Sequence, residues 1–130
     1  MRKITWSGLI GMIPNEHVVQ ENDPIYLKYL AWKKLEEADE RQLMLVGVLD
    51  NEERGIAIHP YRNQYWQPDA AIALSYYPYF GCSIYQYQQH GGLYFVYEVF
   101  GGHASEMRCR LIQRHLTVLD IPGKAPVYES

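Results

Sequence analysis

Two runs in the second half of the chain alternate as strands do. From Gly81 to Gln88 and from Leu93 to Phe100, positions of different character follow a period of two, and Gln89-His90-Gly91-Gly92 separates the runs. Such a period sends neighbouring side chains to opposite faces, and a glycine-bearing connection closes the pair as a hairpin. Placing the turn at His90-Gly91 or at Gly91-Gly92 shifts the register by two residues, so both placements give the same faces. One face carries Cys82, Ile84, Leu93, Phe95, Tyr97 and Val99. The other carries Tyr85, Tyr87, Tyr94, Val96, Glu98 and Phe100. The first is more apolar and is expected to lie against helices. The second joins tyrosines to a carboxylate and is expected to face a cleft or solvent.

The remaining elements follow from apolar spacing and from helix and turn signals. Ile4 to Ile13 reads as a first strand, stopped by Pro14 and Asn15. Asp23-Pro24 signals a helix start, with Asp23 as cap and Pro24 shaped for the first helical position. That helix is predicted to run to about Asp39, with Leu27, Leu30, Ala31, Leu35 and Ala38 inward. The acids near its C-terminus oppose the helix dipole, and nothing local explains them. Leu43 to Leu49 is short and apolar, as a buried strand is. Gly55 to His59 reads as a short strand, Tyr61 to Pro68 as irregular, and Ala70 to Tyr77 as strand or helix, with strand favoured because the aromatics thicken toward its end. Ser105 is expected to cap a second helix through about Leu116. Met107, Leu111, Ile112 and Leu116 would point inward, and Arg108, Arg110 and Arg114 would form a solvated face. The class is α+β: an antiparallel sheet with two helices, in a pattern that suggests two β-α-β-β repeats around a central cleft.

Composition narrows the class of function. The chain has 130 residues, 48% apolar and 21% charged, which suits one folded domain over residues 1–130 with a real core. A net charge of −3 argues against a nucleic-acid partner. The apolar run after Met1-Arg2-Lys3 is short and broken by Thr5, Ser7, Gly8 and Gly11, so neither a signal peptide nor a membrane span is expected. Cys82 and Cys109 have no metal-ligand spacing and fit reduced, packed thiols in the cytoplasm. No phosphate loop, GxSxG or HExxH is present, and no metal or cofactor is expected.

The chemistry lies in an imbalance. Between Asn63 and Met107 there is no lysine or arginine, yet that stretch holds twelve of the eighteen aromatic residues. Its full charges are Asp69, Glu98 and Glu106. Aromatic faces and carboxylates without competing cations attract a flat cation. Tyrosine also suits half-buried strands, which is the plainer explanation. Tyr85, Tyr87, Tyr94 and Glu98 are the candidate ligand contacts. Phe95 and Tyr97 are expected in the core, and Trp66 is either a core anchor or a pocket wall.

The run from Gln88 to Gly102 resembles a stretch of the gyrase-inhibitor-like family, the effector-binding domain of AraC-type and MerR-type multidrug regulators, which also occurs alone. That family has a Gly-Gly-x-Tyr-x-Val strand, then a glycine and a helix. Gly91, Gly92, Tyr94, Val96 and Gly101 fit. Pro126 and Glu129 match the first half of its Pro-x-x-Glu-x-Tyr element, and the sequence ends at Ser130, one position before that tyrosine. The likeness covers residues 88–129; the first half agrees in element order alone. It implies an aromatic cleft for flat, hydrophobic cations, with Glu129 in the place of the family's buried glutamate.

These readings converge on a stand-alone binding module for a small cationic, aromatic or amphipathic molecule, without catalysis. Two alternatives stay open. One is a protein-interaction role of the immunity or antitoxin kind, through a tyrosine-rich surface and with a protein partner or a homodimer. The other is a small hydrolase on the same scaffold, using Cys82 or Cys109 with His90 or His103. A thiol nucleophile needs a base in contact and a lowered pKa.

Overall fold

In the computed structural model the described residues are 2–49, 72–73, 79, 81–101, 104–113 and 118–119. The expected strands at Gly55–His59 and most of Ala70–Tyr77, the irregular segment Tyr61–Pro68, Trp66, His103 and Glu129 lie outside them. The hairpin forms the centre of a six-stranded sheet. Its arms are β5 (Ser83–Tyr87) and β6 (Leu93–Gly101), and the other strands are β1 (Lys3–Ile4), β2 (Lys33–Lys34), β3 (Leu43–Leu49) and β7 (Ala104–Leu111). The order across the sheet is β1-β3-β5-β6-β7-β2. All neighbours are antiparallel except β1 and β3. Separately, β4 (Ile72–Ala73) pairs in parallel with β8 (Val118–Leu119). Among the described residues three short helices complete the α+β fold: α1 (Trp6–Ile10), α2 (Glu16–Asn22) and α3 (Glu37–Glu40), with a 3-10 turn at Tyr26–Tyr29.

The hairpin pairs Tyr85 with Tyr94 and Ile84 with Phe95. The Tyr87 N–H donates to the Gly92 carbonyl at 3.0 Å, so the connection is Gln88–Gly91, longer than either expected turn. The shift is again an even number of residues, and the two faces are those read from the sequence. Each face builds its own core. On one, Cys82, Ile84, Leu93, Phe95 and Tyr97 pack with Ile4, Leu9, Trp32, Leu49 and Tyr79. On the other, Tyr87, Tyr94 and Val96 pack with Ile25, Tyr29, Leu35, Leu43, Cys109 and Leu111. The tyrosine face therefore covers a second core and not a cleft or solvent. The Tyr94 hydroxyl finds its partner inside, on Asp23.

Three expected elements take other forms. The first strand shrinks to β1, because Thr5 caps α1: its Oγ1 accepts the Gly8 N–H at 3.2 Å. The helix from Asp23 breaks into the 3-10 turn, β2 and α3. The reason is tertiary: Tyr29 belongs to one core and Trp32 to the other. Helical residues three apart share a face, so a continuous helix would bury both on the same side. The supposed C-terminal acids are instead the first turn of α3, where the dipole favours them.

The second expected helix, Ser105–Leu116, is β7 over its described part. Met107, Cys109 and Leu111 alternate with Glu106, Arg108 and Arg110, and they pair with Glu98, Val96 and Tyr94 of β6. Arg110 is fully buried, not solvated; its Nη1 donates to the Tyr79 hydroxyl, and its guanidinium carbon lies 6.0 Å from that ring. Arg108 is half-buried against Glu106 at 3.1 Å, and Arg114 lies outside the described residues.

Candidate functional site

Of the residues proposed to bind a ligand, Tyr94 is placed deepest. It is fully buried, and its hydroxyl donates to Asp23 Oδ2. The same oxygen accepts the Gly92 N–H at 3.0 Å, while Oδ1 accepts the Ile25 N–H at 3.0 Å. Asp23, where α2 ends, thus clamps the hairpin turn against the second core. A β-carbon on Gly92 would lie 2.7 Å from Leu111 Cδ1 and 3.1 Å from Asp23 Oδ2; one on Gly91 would lie 1.8 Å from the Tyr87 carbonyl oxygen. Gly91, Gly92, Tyr94 and Val96, four of the residues that carry the family likeness, each have a structural task here. Burial pushes the Asp23 carboxyl above its ordinary value despite these donors. Burial, then the Asp23 hydrogen bond, pushes the Tyr94 phenol far up.

A second polar cluster lies across the same core. Tyr29 packs edge-on to Tyr94, with ring centroids 6.1 Å apart. Its hydroxyl donates to Asp39 Oδ2 at 2.6 Å and accepts the Glu36 N–H at 3.2 Å. Lys28 Nζ donates to Asp39 Oδ2 at 3.2 Å and to Glu36 Oε2 at 3.0 Å. Burial raises Asp39, but the Tyr29 and Lys28 hydrogen bonds outweigh it and hold the carboxyl below its usual value. The Ile25 contact of Asp23 is local, but its Gly92 and Tyr94 partners lie 69 and 71 residues away, and nothing in the sequence beside Asp23 announces them.

Tyr87 is buried in the same core, and Tyr85 is half-buried at its margin. Burial and then the charge of Glu40 push the Tyr85 phenol up. Glu98 is exposed and stands apart from the buried tyrosines. It lines a basin of about 600 Å³ with Lys34, Leu35, Glu36, Glu37, Glu40, Glu106 and Met107. The carboxylates come from three places: α3 and the residue before it, β6, and β7. Leu35 and Met107 give the basin an apolar floor, Leu35 being buried and Met107 half-buried. Glu36 is paired with Lys28, Glu37 with Arg41 at 3.7 Å, and Glu106 with Arg108. Glu40 and Glu98 make no ion pair among the described residues.

The thiols offer little chemistry. Cys82 and Cys109 are buried, and burial pushes both well above the ordinary thiol value. His90 lines a separate shallow hollow with Asn22, Gln88, Gln89 and Gly91. Among the described residues no group of three or more His, Cys, Asp or Glu side chains is arranged to hold a metal ion, and no helix is long and apolar enough to cross a membrane. No protein-family model matches the chain, and no curated protein and no solved structure matches it.

Proposed function

We propose that the protein is a binding module for a small cationic, amphipathic molecule, held in the basin beside Glu98. The observation that carries this reading is the pairing of two uncommitted carboxylates, Glu40 and Glu98, with the apolar floor of Leu35 and Met107. The ammonium or amidinium head of the ligand lies between the carboxylates, and its apolar body lies on the floor. Tyr85, Tyr87 and Tyr94 are not among the residues that line the basin.

The test is a fluorescence titration with a panel of quaternary ammonium compounds and cationic dyes. Saturable binding is expected, and Glu98→Gln or Glu40→Gln is expected to weaken it by roughly two- to fivefold each, as an exposed charge contact of about 0.5–1 kcal/mol would. If no compound in the panel binds saturably, the reading fails.

A further inference from the structure

We propose that a cavity between α2 and the end of β7 binds a small primary amine with one apolar ring. The inference does not depend on the basin beside Glu98. The cavity holds about 310 Å³ and lies where the two cores meet. Ile13 and Ile112 in its wall belong to the first core, and Leu111 belongs to the second. Leu111 and Ile112 are consecutive, so the period of the strand sends them to different cores. Val19, the buried residue of α2, completes the apolar wall. A largely apolar concavity of about 300–1,000 Å³ with a few convergent polar groups is the usual makeup of a small-molecule site.

Four polar side chains share the lining: Glu16 and Gln20 of α2, Tyr26 of the 3-10 turn, and Gln113 just past β7. Glu16 and Gln20 are four apart in a helix and so lie on one face. None of the four side chains makes a hydrogen bond or ion pair among the described residues. Asn15, also in the lining, is committed elsewhere: its Oδ1 accepts the His17 N–H at 2.8 Å and caps α2.

The uncommitted groups select the occupant. Glu16 is the one charge among the residues that line the cavity, with no lysine, arginine or histidine beside it. It repels an anionic ligand and matches a cationic head. A primary ammonium carries three donors, and the carboxylate and the two glutamine carbonyls are acceptors for them. A quaternary ammonium carries no donor and leaves those acceptors unpaired. The Tyr26 ring offers an aromatic face to the apolar body or to the cation. With one carboxylate here and five in the basin, the two sites differ in the number of charges they balance.

Two-dimensional NMR of the full chain, titrated with phenethylamine, phenethyl alcohol and phenethyltrimethylammonium, tests the proposal. Saturable shifts are expected with phenethylamine at the amides of Val19, Tyr26, Leu111 and Ile112, and the trimethylated analogue is expected to bind there more weakly. Glu16→Gln is expected to weaken the amine roughly two- to fivefold and to leave the alcohol unchanged, as loss of an exposed charge contact would. Val19→Phe fills the cavity, and Gln20→Trp obstructs it from an exposed position without altering a core residue; each is expected to abolish the shifts. Glu40→Gln and Glu98→Gln are expected to leave this titration unchanged, so its outcome is separate from that of the basin. No saturable shift at the four amides would overturn the proposal. So would tighter binding of the trimethylated analogue, equal loss of amine and alcohol in Glu16→Gln, or amine binding that survives in Gln20→Trp or in a folded Val19→Phe.

Discussion

The carboxylate of Asp23 takes three donors, from Ile25, Gly92 and Tyr94, and each ties it to a different part of the second core. Tyr94→Phe removes one donor and leaves the oxygen buried. It is expected to cost about 1–3 kcal/mol in a urea titration, with the slope unchanged. Asp23 and Asp39 should also respond to pH with opposite signs. The folded state raises Asp23 above the value of 3.8, so the native chain holds that proton to higher pH than the unfolded chain. Its contribution to stability is full below 3.8 and declines as pH rises through the raised value. Asp39 is lowered, so its contribution is present above 3.8 and is lost as pH falls through the folded value. Unfolding measured between pH 3 and 7 is therefore expected to lose a falling component in Asp23→Asn and a rising one in Asp39→Asn. The cap signal at Asp23 was legible in the sequence, and Oδ1 does bind the Ile25 N–H. Its burial was not legible, because Tyr94 lies 71 residues away and only the folded sheet joins them.

The hairpin was readable because its period of two and its paired glycines agree, and the two faces survive any even shift of the turn. Gly92→Ala tests how tightly that turn is held. The added carbon meets Leu111 Cδ1 and Asp23 Oδ2 together, and an overpacking cost of about 1–3 kcal/mol is expected in thermal or urea unfolding. The strand β7 was misread because Met107, Leu111 and Ile112 fit a helical stripe, while Met107, Cys109 and Leu111 fit a strand equally well. The helix reading also placed Arg110 on a solvated face, since an arginine is rarely buried. Its place beside Tyr79 inverts that inference. Burial pushes the Tyr79 phenol up to about 12, against the pull of the Arg110 charge, so the phenol stays protonated in the physiological range. The candidate site was half legible in the same way. Glu98 was found from its position on β6, but the basin also needs Glu36, Glu37 and Glu40, which a long helix would have carried elsewhere.

At the scale of the molecule, one sheet serves as the shared wall of two cores, and the basin lies where α3 and the residues leading into it meet the outer ends of β6 and β7. Attraction to the basin carboxylates is electrostatic and exposed, so ligand affinity is expected to fall as ionic strength rises from 10 to 300 mM in a titration series, over which the screening length shrinks from about 30 Å to below 8 Å. Affinity that ignores salt would mean that apolar burial alone holds the ligand. The chain passes from one core to the other in the four residues Trp32 to Leu35, with Trp32 in the first core, Leu35 in the second, and β2 between them held to β7. Lys33 and Lys34 are exposed, and a trypsin-like protease reads them as cleavage points. Their backbone is anchored on both sides of the sheet, so the peptide cannot enter such an enzyme until both cores release it. The rate of cutting at this dipeptide should therefore follow the opening of the whole domain, which makes it a built-in reporter of unfolding.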